Sequence, residues 1–394
     1  MLYRYASACA LLSYVCTTFA FTPVKDYSGS TFFDDWDFFG SWDNLTLGDV
    51  WWLNASDAFN QKLAYVNPAG NAIIRVDNTT NVPMNEKRNT VRITTKDYYS
   101  VGSLWIIDLL HIPYGCSVWP AFWAKGPLWP DDGEIDIIEG INVMPNNQMA
   151  LHTTGGCIHN PPPDQKGRNL EMDCATPAGC TVAETAPNSF NAGFAAAGGG
   201  VWATQFDVSG VYIWFWSRPN VPASIAGSNA NSPIDISQWG PPSAGFPAGP
   251  NCNLTNYFTA QQLVLDITLC GDWAGIGPAY NNSCGHSGPT GTCYADNVVG
   301  PGSPRYDNAY FEIKYVRAYT TGQPAPTPTG AATTAAATAT VTSGSAEFSD
   351  PAGTSTATRS PGSNASTSSG DRAAVFGWML TILLAFGTSF AVLV

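Results

Sequence analysis

The chain has 394 residues, of which only 12% are charged, about half the ~25% of a typical soluble domain, and another 12% are aromatic. With 38 Gly, 29 Pro and 14 Trp, it is too rich in turn residues for a helical bundle and too aromatic for a charged disordered chain. A formal charge of −13 argues against a nucleic-acid partner, which would favour a basic face. What remains is an acidic, aromatic-rich protein of strands and loops.

Residues Met1 to Ala20 carry one early positive charge, Arg4, then an apolar run over Ala8–Val15, then Thr18-Phe19-Ala20, acceptable before a cleavage point. This reads as a secretory signal peptide removed after Ala20. Cys9 and Cys16 leave with it.

Residues 21–319 read as a single domain without an internal repeat or linker. Strand-like segments recur between Gly, Pro and Asn: 72–76, 91–94, 104–109, 211–216, 263–267 and 311–316. Such spacing predicts stacked antiparallel sheets. With no long segment of period 3.6, the expected fold is all-β, a sandwich or jelly roll.

One strand in this domain carries the chemistry: Gly133-Glu134-Ile135-Asp136-Ile137-Ile138-Glu139-Gly140. Side chains two apart on a strand share a face, so Glu134 and Asp136 point one way while Ile135 and Ile137 point into the core. Glu139, five positions after Glu134, should face away. One extra residue in a β-bulge between Asp136 and Glu139 would return it to the carboxylate face. Three neighbouring acids each raise the cost of ionising the others, so at least one keeps a proton near neutral pH. A protonated acid beside an ionised one is the pair that glycoside hydrolysis needs. With the bulge, Glu134 and Glu139 lie about 13 Å apart along the strand at ~3.3 Å per position, and two side chains leaning inward over Asp136 would close most of the gap to the ~5–5.5 Å of a retaining enzyme. The bland alternatives are a solvated acidic edge or a calcium site.

Past the domain, residues 320–372 turn to Thr, Ser, Ala, Pro and Gly. They cannot bury enough apolar surface to offset their ordering entropy and read as an O-glycosylated stalk. Residues 373–394 are uncharged and mostly apolar, preceded by a polar spacer and by small residues at Ser363-Asn364-Ala365. That order is the signal for a glycolipid (GPI) anchor, with the tail removed. The alternative is a single-pass anchor, which usually has a basic cytoplasmic flank. The expected location is secreted, at the cell surface or wall, touching the membrane only through the GPI anchor.

Eight cysteines remain after processing: Cys116, Cys157, Cys174, Cys180, Cys252, Cys270, Cys284 and Cys293. An even number in a secreted chain predicts disulfides, with on the order of a hundred possible pairings. Nearness in sequence offers Cys174–Cys180 and Cys284–Cys293 as weak candidates. A zinc site would need CxxC and matching His pairs, which are missing from the sequence. Sequons at Asn44, Asn54, Asn78, Asn253 and Asn281 agree with a glycosylated surface.

The run Glu-Ile-Asp-Ile-Ile-Glu resembles the signature of glycoside hydrolase family 16 in its bulged form, ExDxxE, shared by laminarinases. Trp119-Pro120-Ala121-Phe122-Trp123, Leu151-His152-Thr153-Thr154, Gly198-Gly199-Gly200-Val201-Trp202, Gly271-Asp272-Trp273-Ala274-Gly275 and Tyr315-Val316-Arg317-Ala318-Tyr319 are similar to the fungal endo-1,3(4)-β-glucanase branch. The resemblance spans nearly all of 21–319. It implies a jelly-roll sandwich of two antiparallel sheets with an open concave cleft for β-glucan. It also implies Glu134 as nucleophile, Asp136 as its helper and Glu139 as general acid/base, with His152 as a candidate partner. Sugar rings present apolar faces to aromatic platforms, which makes Trp119, Trp123, Trp129 and Trp273 candidate glucan-binding residues. No cofactor is required for catalysis, although the family often carries a structural calcium away from the cleft. A monomer is expected. Two other functions share this fold, a cell-wall glucan transglycosylase and a non-catalytic glucan-binding lectin.

Overall fold

The computed structural model describes residues 20–322. The remainder of the signal segment, nearly all of the stalk and the whole apolar tail lie outside them. In chain order the strands are β1 (Thr22–Ser28), β2 (Trp36–Phe38), β3 (Val50–Trp52), β4 (Ala64–Val66), β5 (Ala72–Arg75), β6 (Arg88–Thr90), β7 (Arg92–Thr95), β8 (Ser103–His111) and β9 (Val118–Lys125). There follow β10 (Glu134–Glu139), β11 (Gln148–His152), β12 (Arg168–Asn169), β13 (Cys180–Ala183), β14 (Gly200–Asp207), β15 (Gly210–Ser217), β16 (Ala244–Pro247), β17 (Gln262–Leu269) and β18 (Tyr310–Thr320). All six predicted segments fall on strands. Among the described residues no α-helix exceeds eight residues, in line with the missing 3.6 period.

Two eight-stranded antiparallel sheets form the jelly roll. The first runs β12-β13-β11-β10-β9-β17-β7-β2 and bears the acids; the second runs β16-β15-β14-β8-β18-β5-β4, with β1 also on β18. A short parallel pair, β3 with β6, completes the strands. Between the sheets lies the main core. Phe122, Ile135, Ile138, Leu265 and Ile267 enter it from the acid-bearing sheet, facing Trp105, Ile107, Trp202 and Ile313 from the other. Each such side chain contributes about 1.5–3 kcal/mol through removal from water.

The second sheet is buried on its far side as well. Leu104, Ile106, Val201, Trp214 and Trp216 pack there beneath Ile225, Ile234 and Trp239. Burial on both faces explains why β8 and β15 read as nearly continuous apolar runs instead of alternating ones. The other face of the acid-bearing sheet mixes polar side chains with Trp119, Ala121, Trp123 and Val264, and it carries the site.

All eight cysteines are paired: Cys116–Cys284, Cys157–Cys252, Cys174–Cys180 and Cys270–Cys293. Nearness therefore succeeds for Cys174–Cys180 and fails for Cys284–Cys293. The helix Gly277–Cys284 carries Cys284 to Cys116, 168 residues earlier, and leaves Cys293 to Cys270. Of the sequons, Asn44, Asn54, Asn253 and Asn281 are exposed and Asn78 is half-buried.

Candidate active site

The three acids stand on β10, in the middle of its sheet between β9 and β11. Directly paired residues of antiparallel strands share a face, so register identifies what lies beside them. Glu134 is opposite Lys125 and His152, Asp136 opposite Trp123 and Ala150, and Glu139 opposite Ala121 and Gln148. The register shifts by one residue between Asp136 and Glu139 against both neighbours. This is the expected bulge. It puts Glu139 on the side of Glu134 and Asp136 and sends both Ile137 and Ile138 into the core. Register also resolves which face Trp119 and Trp123 share: it is the acid face.

Gly133 fixes the entry to β10. Its φ is +77°, and a Cβ there would lie 2.3 Å from the Phe258 ring, so both conformation and space require glycine. The loop before it presents Trp129, which is 48% exposed and donates its indole N–H to Glu134 Oε2. Trp119, only 9% exposed, donates its indole N–H to Glu139 Oε1 at 3.0 Å, and the half-buried Trp273 meets it edge-on at 5.4 Å. Trp123 is buried and donates to Asp266 Oδ2 at 3.0 Å. His152 Nε2 lies 3.3 Å from Asp136 Oδ2. All eight candidates thus occur on or beside the acid face, with Trp129 the most open to solvent.

Burial and mutual repulsion perturb the acids together. Glu134 is pushed up to about 8, by desolvation first and then by the Asp136 charge. Asp136, 2% exposed, is raised to about 7 by desolvation, with Asp266 adding to it. Glu139 is raised well above the carboxylate range by desolvation and then by Asp136, against the pull of His152 and the Trp119 N–H. The cluster therefore holds protons near neutrality, and one carboxyl can act as acid while another is ionised.

Three further residues shape this face. Asp266 and Arg92, on β17 and β7, are paired in register and approach to 4.0 Å, with the Arg92 guanidinium against the rings of Phe39 and Trp123. Asn147 is wholly buried just before β11 and hydrogen-bonds the bulge of β10. Only the register, set by strands far apart in sequence, reveals the first two, and Asn147, one of two consecutive Asn in a loop, signals nothing.

Among the described residues, one group of three potential metal ligands gathers, Glu134, Asp136 and His152, with ligand atoms within 4.8 Å of one another. Two carboxylates and an imidazole do not make the six to eight oxygens that calcium prefers. Away from the acids no other such group of His, Cys, Asp or Glu side chains gathers among the described residues.

Comparison with known proteins follows the same lines. Residues 36–319 match the family model for the XgeA-like catalytic domain of glycoside hydrolase family 16. A probable endo-1,3(4)-β-glucanase of Aspergillus fumigatus is 36% identical over 305 residues, 76% of this chain and 45% of that protein. A probable glycosidase of Schizosaccharomyces pombe is 35% identical over 314 residues, 78% of this chain and 70% of that one. The chain thus spans less than half the length of the Aspergillus relative. Laminarinase 16A from Phanerochaete chrysosporium, solved with two molecules of 6-O-glucosyl-laminaritriose in donor and acceptor sites, superposes with a TM-score of 0.70 at 32% identity, covering 76% of this chain and 100% of that one. An elongating β-1,3-glucosyltransferase of the same family gives 0.70 at 36% identity, with the same coverage of both chains.

Proposed function

The chain belongs to glycoside hydrolase family 16, and from that premise we propose that it is a retaining endo-hydrolase of β-1,3 and mixed β-1,3/1,4 glucans. The observation that carries this reading is the bulge, which sets Glu139 on the same face as Glu134 and Asp136. Glu134 attacks the anomeric carbon while Glu139 protonates the departing glycosidic oxygen, giving a glycosyl-enzyme. Glu139, now ionised, takes a proton from the water that releases the sugar. Asp136 lies between them, tuning and orienting the nucleophile, with His152 against its carboxylate. Trp129 beside Glu134, and Trp119 with Trp273 beside Glu139, supply apolar faces for sugar rings on either side of the scissile bond, while Trp123 forms the floor between them. No cofactor takes part. The test is reducing-end release from laminarin, with lichenan, cellulose and chitin alongside. Cleavage of laminarin and lichenan is expected; comparable turnover of cellulose overturns the substrate assignment.

Transglycosylation is the second reading, favoured by the likeness to the elongating glucosyltransferase. The same acids would pass the glycosyl group to a sugar hydroxyl instead of water. Products longer than the starting laminari-oligosaccharide would establish it.

We further propose that the protein is secreted as a monomer and held at the cell surface or wall by a GPI anchor. The support is the leader at 1–20, the stalk at 320–372 and the uncharged tail at 373–394. Phosphatidylinositol phospholipase should release it from cells. A mature species still containing Trp378 and Met379 contradicts the anchor.

A further inference from the structure

We propose that Asn147 is a positioning residue for Glu139, because its side-chain amide completes the bulged backbone that carries this carboxyl. The inference rests on the reading of Glu139 as general acid/base. An extra residue in an antiparallel ladder leaves backbone groups with nothing opposite them, and a buried unpaired group costs ~1–3 kcal/mol. Asn147 supplies what the ladder lacks. Its Oδ1 accepts from the Glu139 backbone N–H at 2.9 Å, and its Nδ2 donates to the carbonyls of Ile137 at 2.9 Å and Gln148 at 3.1 Å. A carboxamide offers the donor and acceptor of a peptide group, and here it stands in for one.

Asn147 is itself held from behind. Its backbone N–H donates to Ser189 Oγ at 3.1 Å, and its carbonyl accepts from the Glu184 N–H at 2.9 Å. The amide can point only one way, since a flip would set its oxygen against two carbonyls. Aspartate in its place would do the same and add a negative charge behind Glu139. Alanine would leave the Glu139 N–H and the Ile137 carbonyl unpaired. With the backbone of Glu139 anchored, its carboxyl is aimed at the Trp119 N–H and toward Asp136. A displacement of about 1 Å at such a group can cost ~100-fold in rate.

The test compares kcat/KM on laminarin with kcat/KM on a dinitrophenyl β-laminari-oligosaccharide, whose leaving group departs without protonation. For Asn147→Ala the expected result is a loss of about 100-fold on laminarin and under about threefold on the aryl substrate, the pattern also expected of Glu139→Ala. Equal losses on both substrates, or none on laminarin, overturn the positioning role. If Asn147→Ala does not fold, judged by its melting transition, Asn147→Ser decides by the same comparison. Should Glu139→Ala itself lose equally on both, the acid/base reading fails and the inference falls with it. A wild-type enzyme that cleaves both substrates, with Glu139→Ala discriminating and Asn147→Ala not, refutes the inference alone.

Discussion

The indole N–H of Trp119 donates to Oε1 of Glu139 at 3.0 Å, so the strand leading into the acid-bearing one also restrains the candidate acid. A donor to a carboxylate favours its ionised form, and this contact opposes the upward push of burial on Glu139. Trp119→Phe removes the donor and keeps the ring. Glu139 should then hold its proton to higher pH, moving the basic limb of the kcat/KM profile up by about one pH unit. A profile that stays in place, or moves down, contradicts the assignment of that limb to Glu139.

The two glutamates should fail in different ways. Glu134→Ala removes the proposed nucleophile, and a loss of ~1,000-fold or more is expected. Azide should restore turnover and give the α-glycosyl azide. Glu139→Ala should spare activated substrates, and azide there should give the β product. Asp136→Asn should retain the fold and lose less than either.

The acid cluster should also be legible in stability. Glu134 and Asp136 sit near 8 and 7 when folded, against 4.5 and 3.8 ordinarily, and Asp266 is raised to about 7 by burial. The folded state thus binds more protons than the unfolded chain across this window, so stability falls as pH rises through it. Glu134→Gln removes one of these ionisations. Its melting temperature should exceed the parent's at pH 8, by about 2–4 °C per kcal/mol recovered, with the advantage gone near pH 4. A variant less stable than the parent at pH 8 reverses the predicted sign.

Thiol titration of the denatured, unreduced domain should be close to zero, because Cys116–Cys284, Cys157–Cys252, Cys174–Cys180 and Cys270–Cys293 use every cysteine of the described residues. Two or more reactive thiols per chain would contradict that pairing.

Much of the site was legible because its signal is local. Alternation between Glu134, Ile135, Asp136 and Ile137 fixes a face, and the odd spacing of Glu139 demands a bulge if all three acids are to cooperate. The six apolar stretches became strands for the same local reason. Other features depend on residues far apart in the chain. Nothing near Asp266 announces that Trp123, 143 positions earlier, will donate to it, and Cys284 finds Cys116 only once the sheets have stacked. The far-side cover of the second sheet comes from Ile225, on the one-turn helix Ala223–Ala226, and from Ile234 and Trp239 in the turns after it, a segment too short and irregular to announce its face. Asn147 is the sharpest case. Its role exists only where the ladder is broken, and one asparagine among several in a turn carries no mark of it.

Proton NMR of the first products released from laminari-oligosaccharides by the unmodified enzyme tests the central claim most directly. Double displacement through Glu134 with Glu139 as acid/base inverts the anomeric centre twice, so the new reducing end should appear first as the β anomer and then mutarotate. An initial α anomer would mean a single displacement by water, and the roles given to the two glutamates would be wrong.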